Sequence, residues 1–512
     1  MKKIGAILFL AAGLAGMSAQ TNSPAARPLS LTDCFTEALK HNLDVQIEQT
    51  APQISLYDLR AAYVGYDPVF SLSATHRQSD AGGFLNSSIS TNFYPAFVGT
   101  NFTPYQIITT NNPGISVARQ NAFNSDLKGS LPWGMSYDFN GNVTDETTAD
   151  SSSGQVGVNV TQPLLKNFWI DSTRLTILVA KNRLKYSEQA LRLQIITTVT
   201  AVENAYYELI FARENVKVQQ EALVLAQTQL DDDKRRMAVG TVAERGGTIE
   251  QDEAQVALSQ ANLIAAQNTL SVDQNTLKNL LTDNYPQWHD VEIEPTVALA
   301  AERQLFDVQD SWSKGMTGRP DLVQARLNVE QQGIQLKFYR NQLFPEVDLV
   351  GSYGYNGAGQ NFSDTFNQMG DANRPFYSYG GQLTMPLGNV GPRNQLKSGK
   401  ATEKQLLLQL KQLEQNVMVQ IDNAVKAAES AWESADATRQ QRIYAEAALK
   451  AEQGKYAVGK STTFIVLQLQ TALTTARSQE IRALANYNQA LASLAAAEGS
   501  SLQRDSLDLV AK

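Results

Sequence analysis

Asp44 to Pro68 reads DVQIEQTAPQISLYDLRAAYVGYDP, and Asp321 to Pro345 reads DLVQARLNVEQQGIQLKFYRNQLFP; the two can be laid on one another without a gap. NLDV beside the first stretch faces RPDL beside the second, and the strand-opening DPVFSLS faces FPEVDLV. Further on, TQPLLKN at Thr161 to Asn167 faces TMPLGN at Thr384 to Asn389, and MAVG ending at Gly240 faces YAVG ending at Gly459. Four matches in one order make the chain a unit used twice. The spacing far exceeds the roughly 20–50 residues of a solenoid repeat, so it predicts two halves that pack side by side.

Working outward, residues 1–19 read as a cleaved export signal, with Lys2 and Lys3, an apolar run from Ile4 to Ala15 and small residues before Gln20. Residues 20–283 form the first repeat: short helices, a strand pair with a long loop, and a long helical hairpin. An inter-repeat equatorial segment spans 284–315, the second repeat 316–499 and a polar tail 500–512. The formal charge is −8, or −10 without the two leader lysines, and no basic cluster appears, so nucleic acid is not expected as a partner. The single cysteine, Cys34, cannot form an internal disulfide and reads as one face of an amphipathic helix. Beyond the leader there is no apolar stretch of about 18 residues. If the exported chain enters a membrane, it must do so as strands.

Ser30 to Asp33 resembles a capping box opening a helix through about His41, where Asn42 breaks it. A second helix runs to about Gly65, with Pro52 either in its first turn or at a kink. From Pro68 the period changes: Phe70, Leu72 and Ala74 alternate with Ser71, Ser73 and Thr75, and Val156, Val158 and Val160 mark the returning strand. In the second copy Val347, Leu349, Tyr353 and Tyr355 go out and Tyr377, Tyr379 and Leu383 come back. The residues between, 79–150, read as a long exposed loop with a possible extra hairpin around Leu127 to Asn140. Strands with one apolar or aromatic side suit a transmembrane barrel, or the edge of an ordinary sandwich. Four main strands are too few to close a barrel, so the first of these readings needs several chains to share one.

Ile195, Val202, Leu209, Val216, Leu223, Leu230 and Met237 recur at intervals of seven, and Ile249, Val256, Leu263, Leu270 and Leu277 follow the Gly240 to Thr248 turn; this is an antiparallel coiled coil. The second copy repeats it over Asn394 to Val458 and Thr462 to Glu498. His41, His76 and His289 have no metal-ligand spacing, no phosphate-cradling glycine loop or nucleophile elbow is present, and the acids fall mostly on solvated helix faces. No catalysis, cofactor or metal is therefore expected. Asp231 to Asp233 with Lys234 to Arg236 reads as surface ion pairing. Gly240 and Gly459 sit where a long helix reverses, as plain caps or as places where another backbone can approach. Glu244, Glu250 and Asp252 lie around the first reversal, and if several chains meet there the acids would form a cation-favouring ring.

The duplicated plan, LTDCFTEALKHNLDV near the start, RPDL, TQPLLKN and the paired AVG turns together resemble the TolC-like outer-membrane efflux family over nearly the whole mature chain. The resemblance implies an α+β membrane protein: duplicated long α-helical coiled-coil hairpins plus four main β-strands per chain, contributing to a trimeric twelve-stranded β-barrel. It implies a passive exit duct of a tripartite efflux or type I secretion system, from periplasm to exterior, with outer-membrane lipid around the strands and the helices in the periplasm. Its partners would be two further copies in a homotrimer, a periplasmic adaptor and an inner-membrane pump. It places adaptor docking at Val239, Gly240, Val458 and Gly459. Family members narrow the tunnel with aspartates just after these turns; the matching positions here are Thr248, Ile465 and Gln468, with Glu244, Glu250 or Asp252 as substitutes. The competing expectation is an exported periplasmic coiled-coil scaffold or adaptor whose strands form a soluble domain.

Overall fold

The computed structural model describes residues 26–81, 92–98, 101–107, 116–146, 150–238 and 248–504. In chain order the first part is β1 (Ala26–Leu29), α1 (Leu31–His41), α2 (Leu43–Ala62), a 3-10 turn (Tyr63–Tyr66), β2 (Val69–Ala81), β3 (Asn92–Val98), β4 (Asn101–Ile107), β5 (Ser116–Ser130), β6 (Ser136–Glu146), β7 (Ser151–Pro163), α3 (Ser172–Ala238), α4 (Thr248–Leu281), α5 (Tyr285–Trp288) and β8 (Glu292–Pro295). There follow α6 (Val308–Gly318), α7 (Pro320–Asn341), β9 (Glu346–Gly359), α8 (Phe362–Gly370), β10 (Pro375–Thr384), α9 (Val390–Ala457), α10 (Thr463–Glu498) and α11 (Ser501–Arg504). The order α1-α2-β2…β7-α3-α4 thus returns as α6-α7-β9-β10-α9-α10. The leader expected at 1–19 lies outside the described residues.

Local chemistry sets the boundaries. Ser30 Oγ accepts from Asp33 N at 3.1 Å while Asp33 Oδ2 accepts from Ser30 N at 3.0 Å, closing the capping box that starts α1. Asn42 ends α1 through its backbone N–H on Ala38 O and its side-chain oxygen receives Val45 N, so one residue stops one helix and steadies the next. Pro52 lies inside α2 rather than in its first turn. α3 begins at Ser172, well before Ile195, the first residue of its heptad series. Asn167 and Trp169 hold positive φ just before it, and Asp171 Oδ1 accepts from Arg174 N at 2.6 Å, satisfying an otherwise open first-turn donor.

The chain divides into two compact units, each drawing on both repeats. One comprises residues 52–187 and 324–410 and is built on a six-stranded sheet in the order β10-β9-β7-β6-β5-β2, antiparallel at every step. The four strands expected from the alternating stretches are present as β2, β7, β9 and β10. The expectation of four main strands is corrected by two more, β5 and β6, from the stretch 79–150 that reads as loop. Their alternation is diluted by Ser125, Gly129 and Gly141 on the side that Phe123, Leu127, Phe139 and Val143 share, which is why periodicity flags only a fragment of the hairpin. Within 79–150, β3 and β4 pair with each other in a separate two-stranded sheet, and residues 82–91, 99–100, 108–115 and 147–149 lie outside the described set.

The other unit comprises residues 1–51, 188–323 and 411–512. Its core joins Phe35, Cys34, Ala38 and Val45 to Val199, Val202, Tyr206 and Leu209 of α3, Leu277 and Leu281 of α4, and Ile293 of β8. Each fully buried large side chain here contributes about 1.5–3 kcal/mol. Cys34 is packing, not chemistry: burial pushes its thiol up to about 12. β1 and β8 pair in parallel, bringing the start of the chain onto the inter-repeat segment. The repeats are tied by Arg482 of α10, whose guanidinium makes two hydrogen bonds to Glu208 of α3 at 2.7 and 2.8 Å and lies over the Phe211 ring. That fork holds the Glu208 carboxyl below its usual range. α3 and α9 are unbroken at 67 and 68 residues, about 100 Å each at about 1.5 Å per residue.

Tyr206 is the polar pin of this core. Its hydroxyl donates to Leu29 O at 3.0 Å and accepts from Thr296 N at 3.1 Å, so one buried atom holds the ends of both short parallel strands against α3. Tyr206→Phe removes this bridge and leaves Leu29 O and Thr296 N only their direct bond at 3.2 Å, so it is expected to destabilise the helical unit by about 0.5–1.5 kcal/mol. Thermal unfolding followed by circular dichroism checks it; an unchanged melting temperature contradicts the role.

Candidate functional site

Paired residues of neighbouring strands point to the same side of a sheet, so the registers define its two faces. One face collects Phe70, Leu72 and Ala74 of β2, Phe123 and Leu127 of β5, Tyr137, Phe139 and Val143 of β6, Val156, Val158 and Val160 of β7, Leu349, Tyr353 and Tyr355 of β9, and Tyr377, Tyr379 and Leu383 of β10. The other collects Ser71, Ser73, Asn124, Asp126, Asn140, Asn142, Asn159, Ser352 and Ser378. A sandwich would bury the apolar face. Here Leu72 is 71 % exposed, Phe139 52 % and Tyr379 86 %, so across all six strands this face is left to the surroundings. Helix α8 packs on the far end of the sheet, with Phe362 edge-on to Phe123 at 5.1 Å.

The second hairpin reversal is fully described. Gly459 takes φ +76°, Lys460 N donates to Lys455 O at 2.9 Å and Gly459 N to Tyr456 O at 3.0 Å, a Schellman termination that satisfies the last carbonyls of α9. Nothing lies within 4 Å of where a Gly459 Cβ would stand. Val458, 68 % exposed, and Phe464 flank it as open apolar surface. The glycine is therefore a cap by its φ, and the space above it is open to another backbone.

Just behind this reversal is a buried polar cluster. Asp233 of α3 accepts from the Tyr456 hydroxyl, from Thr463 Oγ1 at 2.9 Å and from Gln229 Nε2 at 3.0 Å, while Arg236 stacks on the Tyr456 ring. Asp252 of α4 stands beside it, fully buried, and neither of its oxygens meets a hydrogen-bond donor among the described residues. Burial, then the charge of Asp233, push the Asp252 carboxyl up to about 7. Two carboxylates in one dry site cannot both ionise cheaply; Asp233 has three donors and Asp252 has none among the described residues.

The residues expected at these ends fare differently. Gly459, Val458, Ile465, Gln468 and Glu250 are exposed. Asp252 is not: it is buried within the helix packing of this chain. Thr248 is the first residue of α4, and its side chain lies outside the described set, as do Val239, Gly240 and Glu244. Asp231 and Asp232 are surface residues as expected, but Asp233 is buried. A signal for it existed. Asp233 and Asp252 fall three residues after Leu230 and Ile249, the inward-facing position of each heptad.

Residues 118–282 and 315–500 match the family described as outer membrane efflux protein. The chain is similar to the outer membrane protein TolC of Salmonella enteritidis, 23 % identical over 377 residues that make up 72 % of this chain and 73 % of the relative. Among solved structures it resembles the outer membrane protein VceC of Vibrio cholerae, with a TM-score of 0.65 at 18 % identity over 92 % of this chain and 96 % of that one. It also resembles the CmeC outer membrane channel of Campylobacter jejuni, with a TM-score of 0.66 at 15 % identity over 94 % and 90 %.

The acid pair generates a pH prediction. Native Asp252 keeps its proton up to about 7, whereas an unfolded aspartate releases it near 3.8, so the native state binds the extra proton in between and its stability falls as pH rises through that window. Asp252→Asn stays neutral throughout. The wild-type melting temperature is expected to drop below that of the variant as pH rises from about 4 to about 8, the two differing least at the acid end. A difference that is flat with pH would sink the assignment.

Proposed function

The chain belongs to the outer membrane efflux protein family, and from that premise we propose that it is a passive exit duct: an outer-membrane channel of an efflux system whose strands cross the membrane and whose helices stand in the periplasm. The observation that carries this reading is the exposed apolar face running across the whole antiparallel sheet, with polar residues on the opposite face. Lipid on one side and water on the other is the environment that alternation suits. Among the described residues no helix is long and apolar enough to cross a membrane, so strands are the element left to do it. A sheet of this size with two open edges needs further copies to close, and we infer a homotrimer.

Transport through such a duct needs no bond-making residue. Energy comes from partners, for which an inner-membrane pump and a periplasmic adaptor are proposed. The adaptor would dock at the hairpin reversals, on Val458 and Gly459 and on Val239 and Gly240 of the first repeat. Exposed apolar Val458 beside a glycine with open space above it suits the close approach of another helical hairpin. Narrowing of the periplasmic end would fall to exposed Glu250, Ile465 and Gln468, with Thr248 and Glu244 as the further candidates that the sequence offers, rather than to a ring of aspartates. Type I secretion remains a use of the same duct by a different pump. The scaffold reading is disfavoured because a soluble domain would have to leave the aromatic sheet face in water.

Two measurements test this. The full chain is expected to stay with outer-membrane fractions through a high-salt wash and to form conducting pores in planar bilayers; release by salt as a monomer without conductance would eliminate the duct. Val458→Asp, which places no strain on the backbone, is expected to reduce adaptor crosslinking at least tenfold, the equivalent of about 1.4 kcal/mol, while leaving the oligomer intact. Gly459→Leu should act in the same direction with an added cost of about 1–2 kcal/mol for the left-handed backbone. Undiminished crosslinking in Val458→Asp would move docking elsewhere.

A further inference from the structure

Resting on the trimeric duct proposed above, we propose that three copies of this chain close an eighteen-stranded barrel, β10 of each copy pairing antiparallel with β2 of the next, and that the β5–β6 hairpin is part of the membrane wall. The juxtaposition behind it is a sheet of six strands, each ladder ten or more pairs long, in which among the described residues β2 and β10 are the strands unpaired on one side.

Three features place the hairpin in the wall rather than over the mouth. First, β2 is laddered to β5 along the whole of β2, from Val69↔Lys128 to Ala81↔Ser116, and β6 to β7 from Ser136↔Thr161 to Glu146↔Ser151. No repeat-derived strand pair bridges that gap; β2 reaches β7 only through the hairpin. Second, the β5–β6 turn lies at the end of the sheet where β2 begins and β7 ends, not at the loop end. There Gly134, at φ +90°, sits so close to the backbone after β7 that a Cβ would stand 2.5 Å from Asn167 O, and Arg174 Nη1 donates to Pro132 O. A decoration of the mouth would turn back before reaching this end. Third, Phe123, Leu127, Phe139 and Val143 carry the apolar face across the hairpin on either side of the small Ser125 and Gly141, and Asn124, Asp126, Asn140 and Asn142 continue the polar one.

The occupant of the two edges follows from strand direction. Six strands in strict alternation make β2 and β10 run oppositely, so β10 of one copy meets β2 of another antiparallel, with both apolar faces on the outside. Any odd insertion would have forced a parallel seam and inverted a face. An open edge in hydrocarbon leaves each unpaired N–H and C=O at a cost of several kcal/mol, and β2 and β10 together carry more than a dozen. With three copies the strand count is eighteen, and because barrel diameter grows roughly linearly with strand number the bore at the membrane would be about 1.5 times that of a twelve-stranded wall.

The test uses the full chain purified in lipid nanodiscs and imaged as single particles. Eighteen strands around a threefold axis is the expected result. A threefold pore with twelve strands overturns this inference and leaves the duct reading standing; absence of a shared pore overturns both. Independently, Cys34 is buried and silent to reagents, so single cysteines report cleanly. In reconstituted pores Leu127→Cys and Phe139→Cys are expected to resist a water-soluble maleimide at least tenfold more than Asn124→Cys and Asn140→Cys. Equal reactivity of the two faces would put the hairpin in water, outside the wall.

Discussion

A peptide group in hydrocarbon must find its hydrogen-bond partner within protein, because no water is there to supply one. The six-stranded sheet is organised by that requirement. Its four inner strands satisfy their backbone on both sides, and the two outer ones present complementary edges at opposite ends of one sheet. The same requirement explains why the first repeat can carry two strands more than the second. A hairpin is the smallest insertion that returns the chain with its direction and its face unchanged, so β7 resumes in the direction and with the apolar side that pairing with β9 requires.

The helical unit answers to a different constraint, the filling of a coiled-coil seam over lengths that no short-range signal controls. Apolar layers do most of this, with Val202 and Leu209 fully buried in α3 and Leu277 in α4. Several polar links between the repeats accompany them, among them two that are buried or half-buried. The Arg482 fork on Glu208 is directional and joins α10 to α3, and Asp233 gathers Tyr456 and Thr463 from the second hairpin. Hydrogen bonds of this kind do not tolerate a register shift, whereas leucines facing leucines do. The carboxyl of Asp252, held neutral by its surroundings, lets a second acid share that layer without a second charge.

Function in such a molecule is a property of surfaces rather than of reacting atoms. One face of the sheet is apolar and exposed, and one hairpin end presents a glycine in a left-handed conformation under open space, with Val458 and Phe464 beside it. The sheet face is a feature that a self-contained globule would bury.

The duplication, the heptads, the capping box at Ser30 and the four alternating strands were legible in the residues themselves, because each rests on local spacing that shows through without tertiary help. Gly459 was legible too, since a helix that must reverse there needs a positive φ. What only the tertiary structure decided was the company each segment keeps. β5 and β6 alternate too weakly to be read as wall strands alone; their serines and glycines become apolar-face positions only when the ladder to β2 and β7 fixes which way they point. Asp252 looks like its acidic neighbours in the sequence, yet helix packing buries it while Glu250 two residues earlier stays exposed. Spacing along one chain records which residues share a face; whether that face meets lipid, water or another helix is set by the partners that three-dimensional packing brings to it.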